Sequence, residues 1–351
     1  MKKRSQMKKR GIIGLLLVVM LIGAFPVGAA DDLYYTYDPV AGQFSKEGST
    51  IKVNADSIVE MAVSYNPTIA SYAYQRDNIK MLTMFGGSSA DRTMATVYAT
   101  EYSLTNAIGK MSYAAQTMLF SCYTLENRLK SLDLDMKEMA NTKIVMKKQM
   151  ELGMISQDEY AAFLLKAREL EVGRQELAVS LENLREKLGA YISRDMSKIE
   201  IEAFALLTKT EIGARLEKVE KAELKDAKLT SMDINAARLN TVATNNAYDE
   251  RVANLAYLEA ENNHAAAFQT YKNDTLLAGE KLNAAIERYA RQERDFAVVE
   301  KQYALGMVSK MEFESAKNQL DKGYLSLVDA HITFDSNYRK FIALAEKGIA
   351  V

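Results

Sequence analysis

Lys148-Gln149-Met150-Glu151-Leu152-Gly153-Met154-Ile155-Ser156-Gln157-Asp158-Glu159-Tyr160 returns further along the chain as Lys301-Gln302-Tyr303-Ala304-Leu305-Gly306-Met307-Val308-Ser309-Lys310-Met311-Glu312-Phe313. Each copy reads as the end of one helix, a reversal and the start of the next. Gly153 and Gly306 suit the left-handed position just past a helix C-terminus. Ser156 and Ser309 suit an N-cap, and Glu159 and Glu312 stand where a capping box needs them. Ile155 with Tyr160, and Val308 with Phe313, occupy the hydrophobic-staple positions. The same devices in both copies predict two tight antiparallel helical hairpins in a tandem repeat.

The helices after the turns carry heptads. Tyr160, Phe163, Ala167, Leu170, Arg174, Leu177, Leu181, Leu184, Leu188 and Tyr191 alternate by three and four, and only Arg174 is not apolar. The same phase holds in Phe313, Ala316, Leu320, Gly323, Leu327, Ala330, Phe334, Asn337, Phe341 and Leu344. A heptad period sustained this long predicts left-handed coiled-coil packing. Upstream, Val59-Glu60, Ala62, Ile69 and Ser71 match Val219-Glu220, Ala222, Leu229 and Ser231 at a wider offset than the turns show. That predicts seven extra residues in the first copy, with 86–92 as the obvious place for them. The expected map is three helices per copy: near 54–84, 93–152 and 156–193, then near 214–244, 247–305 and 309–347. Repeat one is 54–193 with its tip at 152–156, and repeat two is 214–347 with its tip at 305–309. Segments 31–53 and 194–213 read as an exposed leader and a linker.

Composition agrees with long helices. The last of three prolines is Pro67, and the whole chain beyond it has none. Prolines punctuate loops and edge strands, so this argues against a β-sandwich or a doubly wound α/β enzyme. One Cys excludes a disulfide scaffold. His264 and His331 have no partner at metal-ligand spacing and read as helix-surface or interface residues. Cys122 reads as a small core residue. No catalytic, cofactor or metal residue stands out, and a non-enzymatic role is expected.

Residues 1–30 read as a signal peptide. A basic stretch from Lys2 to Arg10 precedes an apolar run from Gly11 to Phe25, followed by Val27-Gly28-Ala29-Ala30. The run is short for a spanning helix, although an uncleaved anchor is the alternative. Six of the 45 Lys and Arg and none of the 46 Asp and Glu fall there, so the remainder carries a net charge of −7. An acidic exported protein is a poor nucleic-acid binder.

These features together resemble the TolC-type outer-membrane efflux factor family over about residues 50–347. The resemblance rests on Ile51 to Ala62 followed by Asn66-Pro67-Thr68-Ile69, on the duplicated Leu-Gly-Met-Ile/Val-Ser turn, and on the tandem repeat. It implies an all-α protomer of long antiparallel coiled-coil helices that joins a homotrimeric tunnel. It also implies docking through the hairpin tips to a periplasmic-type adaptor (a membrane fusion protein), which serves a membrane pump. Leu152, Gly153, Met154, Ile155 and Ser156, with Leu305, Gly306, Met307, Val308 and Ser309, would face that adaptor. Turn chemistry alone accounts for the Gly, Ser and Glu of these tips, whereas Met154, Ile155, Met307 and Val308 would expose apolar surface to a partner.

One departure matters. The family's barrel strands would fall around 85–93 and 244–248, and a spanning strand takes about 9–11 residues. No β-barrel is expected here. Two readings follow. One is a component of an efflux or secretion assembly of the cell envelope, at the outer membrane or periplasm by resemblance, or on the extracytoplasmic face of a single-membrane cell. The other is a non-transporting coiled-coil spacer of the envelope.

Overall fold

The computed structural model describes residues 51–85, 91–244 and 246–351. The expected signal peptide and most of the leader lie outside them. In chain order the elements are β1 (Ile51–Val53), α1 (Ser57–Tyr65), α2 (Pro67–Phe85), α3 (Asp91–Glu151), α4 (Gln157–Tyr191), a 3₁₀ turn (Met196–Lys198) and β2 (Ile199–Ile201). The second half adds α5 (Lys209–Lys221), α6 (Leu224–Thr230), α7 (Met232–Val242), α8 (Ala247–Ala304) and α9 (Lys310–Lys347). The long helices, α3 and α8, are rods roughly 90 Å in length at the α-helical rise.

The helices pack as a slab four helices wide. α2 and α4, stacked end to end, form one edge beside α3. On the other side of α3 lie α7 and α9, also stacked, and α8 forms the far edge. Each long helix is therefore matched by a pair of shorter ones. α4 supports the heptad reading. Leu181 and Leu188 are buried on it, and its other seam positions are half-buried. Arg174 is accommodated in the seam because its guanidinium pairs with Asp133 of α3.

Two expected continuous helices are broken, and local chemistry explains both. The expected helix at 54–84 ends at Tyr65, because a residue before proline avoids helical ψ. Asn66 accordingly has ψ 117°. Pro67 then opens α2 at the one position where a missing N–H costs nothing. The Asn66 carboxamide oxygen accepts from Thr68 N (3.0 Å) and Ile69 N (3.1 Å), and its Nδ2 donates to Tyr191 O at the end of α4 (2.7 Å). The expected helix at 214–244 is three helices. Thr208 and Glu211 form a capping box that starts α5 early. Ser231 caps α7 by accepting from Ile234 N (3.3 Å).

The two breaks sit at comparable places in the two halves. Asn66 meets the end of α4, and beside Ser231 the Met232 N–H donates to Gly348 O at the end of α9 (3.0 Å). Asn66 and Ser231 thus mark equivalent places, and they lie further apart in sequence than Gly153 and Gly306 do. The first half is longer between these landmarks by more than the seven residues expected. Most of the excess lies in α2, which has 19 residues against 11 in α7. The stretch 86–92 is not its main location, since Asp91 already begins α3. Only a few residues separate α2 from α3, and as few separate α7 from α8. Neither place has room for a pair of spanning strands of about 9–11 residues each.

The end of the leader and the start of the linker also differ from expectation. Val53 is fully buried, and Ile51–Val53 pairs in parallel with Ile199–Ile201. This ladder closes one apolar core built from α1, α3 and the upper part of α4, including Ile58, Met61, Leu119, Cys122, Leu188 and Ile192. Two smaller clusters serve the second half, one around Leu282 and Phe334 and one around Phe268, Phe341 and Leu344. An ion network spans the junction. Asp335, almost fully buried on α9, accepts from both Arg215 of α5 and Arg339, and Arg339 also reaches Asp56 beside α1. Paired with Arg339, the Asp56 carboxyl is held below its usual range.

Replacing Asn66 by Ala removes two capping bonds and orphans Tyr191 O. We expect a loss of about 1–2 kcal/mol in denaturant unfolding. An unchanged midpoint would mean that Pro67 alone sets the break.

Candidate functional site

The two tips are built from identical backbone chemistry. Gly153 has φ 73° and Gly306 has φ 71°. Glycine enters this left-handed region without steric cost. Met154 N donates to Gln149 O (2.8 Å) and Gly153 N to Met150 O (3.0 Å). In the second tip Met307 N donates to Gln302 O (2.8 Å) and Gly306 N to Tyr303 O (2.9 Å). This is the 6→1 and 5→2 pair of a Schellman motif in both. The following helices open with reciprocal capping boxes, Ser156 with Glu159 and Ser309 with Glu312. Hydrogen bonds from the cap backbone N–H, then from the cap side chain, hold both carboxyls below the usual glutamate value of 4.5.

With backbone needs met locally, the side chains of the reversal are left to solvent. Leu152 is 75% exposed, Met154 68%, Leu305 75% and Met307 70%. Ile155 and Val308 are half-buried, consistent with the staple positions. The ten expected tip residues therefore form two separate groups of five, each crowned by a Leu and a Met. The tips are also uneven. Asn141 Nδ2 donates to Glu314 Oε2 (3.0 Å), and Asn127 Nδ2 donates to Leu325 O (2.6 Å), which sets the level of α3 against α9. Counting from such pairs, the first tip projects beyond the second by more than one helical turn, about 8 Å. The second tip is braced by Tyr303 stacked on Phe313 at 4.5 Å, with Phe296 beside them at 5.6 Å. At the corresponding positions the first has Met150, Tyr160 and Lys143.

The candidates for chemistry read differently in the structure. His264 and His331 are buried, which fits the interface and not the surface alternative, and burial lowers the pKa of both. His331 Nδ1 accepts from Leu207 N at 3.4 Å, a role in holding the chain before α5. Burial pushes the Cys122 thiol up to about 11. That keeps it protonated and unreactive. Among the described residues no group of three His, Cys, Asp or Glu side chains is placed to hold a metal ion. No helix among them is long and apolar enough to cross a membrane.

No family model matches the sequence, and no curated protein matches it. Solved structures do match in shape. The outer membrane protein VceC from Vibrio cholerae superposes with a TM-score of 0.57 at 10% identity, over 85% of this chain and 97% of that one. The Campylobacter jejuni CmeC outer membrane channel gives 0.57 at 10% identity, over 89% and 92%. A membrane protein from Pseudomonas aeruginosa gives 0.56 at 8%, over 87% and 95%. At such identities the likeness is one of fold. The chain has the helical architecture of TolC-like channels, as its hairpins and heptads imply.

Nothing lies within 4 Å of a Cβ built on Gly153 or Gly306, so substitution there meets only backbone strain. Gly173, inside α4, also faces open space. Gly306→Ala should cost about 1–2 kcal/mol, while Gly173→Ala should stabilise by about 0.5–1 kcal/mol. Thermal unfolding of the two variants checks the contrast. Glu159 and Glu312 have depressed pKa values, so their capping contribution is complete above the ordinary glutamate value of 4.5. It is lost as pH falls through the lower folded values. Protection factors for amide exchange at the first turns of α4 and α9 should therefore fall below that pH, and a Glu159→Gln, Glu312→Gln double variant should flatten the dependence.

Proposed function

We propose that this chain is a non-enzymatic, exported component of an efflux or secretion assembly of the cell envelope. In this reading its slabs close into a homotrimeric helical tunnel or stalk, and its tips dock to an adaptor that serves a membrane pump. The observation that carries it is the state of the slab's two edges. On one edge Tyr74 and Met81 of α2, and Leu165, Val172 and Val179 of α4, are exposed at heptad spacing. On the other, α8 exposes Tyr248, Val252 and Leu255 toward its start and Leu277 and Val298 further along. Val172 and Val298 both lie in the half of their helix nearer the tip, so the two stripes run side by side when one slab's edge meets the opposite edge of the next. Such a contact is head-to-tail, and it closes into a ring when the rotation per protomer divides a full turn. Exposed heptad stripes on a soluble helix are otherwise a liability.

The fold shared with outer-membrane channels supports the same reading, as does the apolar Leu/Met pair at each tip. The export signal and the tandem duplication belong to this proposal too, with repeats 54–193 and 214–347. Because neither helix junction has room for strands, the proposed tunnel ends without a barrel of its own.

Sedimentation equilibrium of the chain from Asp31 to Val351, without detergent, tests the closure. A stable trimer is expected. Val172→Glu with Val298→Glu should return it to monomer, because each places a charge in a buried stripe. A strict monomer at all concentrations would leave the non-transporting coiled-coil spacer as the better account. Met154→Asp with Met307→Asp should abolish adaptor binding while leaving the trimer intact. Unchanged binding would remove the tips from the docking surface.

A further inference from the structure

The two slab edges that expose apolar stripes also carry charge, and of opposite sign. On α4, Glu169 stands four residues after Leu165, and Glu176 four after Val172, so both carboxylates flank the exposed stripe. Among the residues three or four places from Leu165, Val172 and Val179, Glu182 is a third acid and Arg168 the one base. Two other bases of α4 are withdrawn from this edge, since Arg174 and Arg185 turn inward to Asp133 and Glu126 of α3. On α8 the stripe nearer the tip runs through Ala284, Arg291 and Val298 at heptad spacing. The same count there gives five bases, with Arg288, Arg291 and Arg294 at their centre, against Glu280, Glu287 and Asp295.

These charges are left over by the protomer. Glu169, Glu176, Arg288, Arg291 and Arg294 are all exposed. Among the described residues none of the five forms an ion pair, although Arg294 Nε donates to Ala290 O of its own helix (3.2 Å). Towards the tips α4 packs on α3, and α8 on α9, which leaves the outer side of each edge helix without a neighbour.

The two sets also stand at matching heights. At the α-helical rise, Glu169 and Glu176 lie about 20 and 30 Å above the first tip. Arg294, Arg291 and Arg288 lie about 15, 20 and 24 Å above the second, which itself stands about 8 Å higher. On the scale of the first tip the guanidinium groups therefore come at about 23, 28 and 32 Å, and each carboxylate has one within a helical turn. A closed ring keeps every protomer at one height along its axis, so the edges meet in this register without sliding.

We propose that the occupant of each edge is a second copy of this chain, selected by pairing of Glu169 and Glu176 on one protomer with Arg288, Arg291 and Arg294 on the next. This rests on the tunnel reading and adds to it what chooses the partner edge. The apolar stripes would adhere to any apolar stripe, whereas the charges distinguish one edge from the other. A contact of α4 with α4 sets acid against acid, and one of α8 with α8 sets base against base. Both two-fold contacts are disfavoured, and the head-to-tail contact that can close a ring is the one left.

The test is a charge swap, read by sedimentation equilibrium of the chain from Asp31 to Val351. Glu169→Arg with Glu176→Arg makes both edges basic, and Arg288→Glu with Arg291→Glu makes both acidic. Each double variant should form trimer at least about tenfold more weakly. The four changes together make the edges opposite again and should restore assembly. All four side chains are exposed, and Glu and Arg have nearly equal helix propensities, so the protomers should keep the wild-type circular dichroism. Raising NaCl from about 0.05 to about 0.5 M should loosen the wild-type trimer and tighten both double variants, because screening weakens attraction and repulsion alike. A wild-type trimer with both double variants unaffected would overturn the pairing and leave the tunnel reading standing. Weakened double variants without recovery in the fourfold variant would also overturn it, since the residues would then not be acting on each other. A monomeric wild type would remove the tunnel reading and this pairing with it.

Discussion

Reversing a helix within a single short turn, without leaving a backbone group unpaired, is the constraint on which the rest of this molecule depends. A helix end presents several orphan carbonyls, and the next helix presents as many orphan N–H groups. Gly153 and Gly306 settle part of the first set by turning left-handed, and the Ser–Glu capping boxes settle part of the second. Because these needs are met locally, no other part of the chain has to cover the tips. Leu152, Met154, Leu305 and Met307 are exposed as a consequence. The feature that makes the hairpins possible thus also creates their candidate docking surface.

The same economy governs the opposite end of each short helix. A long helix must be matched by two short ones, so the chain has to break where the short helices meet. Asn66 and Ser231 mark these breaks, and each is tied to the C-terminal end of its own half's hairpin helix. The halves solve one problem with different residues: an Asn-Pro step in the first, a Ser cap and a backbone bond to Gly348 in the second. Identity at the tips and divergence at the breaks fit what each place requires. A left-handed turn accepts few residue types, whereas a helix start accepts several.

Packing between the hairpins changes in kind along their length. Heptad seams and the Phe296–Tyr303–Phe313 cluster hold α8 to α9 through apolar contact. Towards the tips the α3–α9 seam relies on Lys322, Asn127 and Asn141 instead. Surface ion pairs of this type contribute little each, typically below about 1 kcal/mol. The boundary between the hairpins is accordingly polar near the tips and apolar above them, where Ile332 of α9 joins the core around Leu119.

Local chemistry was legible in the sequence: the two tips, their caps, the heptad phase and the length of the long helices all depend on residues within one or two turns of each other. The Asn66-Pro67 and Thr208–Glu211 breaks were written there too, in signals whose reach is equally short, but a continuing apolar period hides them from a reading by periodicity alone. Long-range matters were decided by tertiary structure. Nothing near Asp56 in sequence announces Arg339, nothing near Val53 announces Ile201, and Arg174 looks like a flaw in its seam until Asp133 stands opposite. The burial of His264 and His331 and the side-by-side order of the helices belong to the same class. Each depends on which surfaces face one another, and a heptad stripe specifies that a helix has a partner without specifying which helix it is.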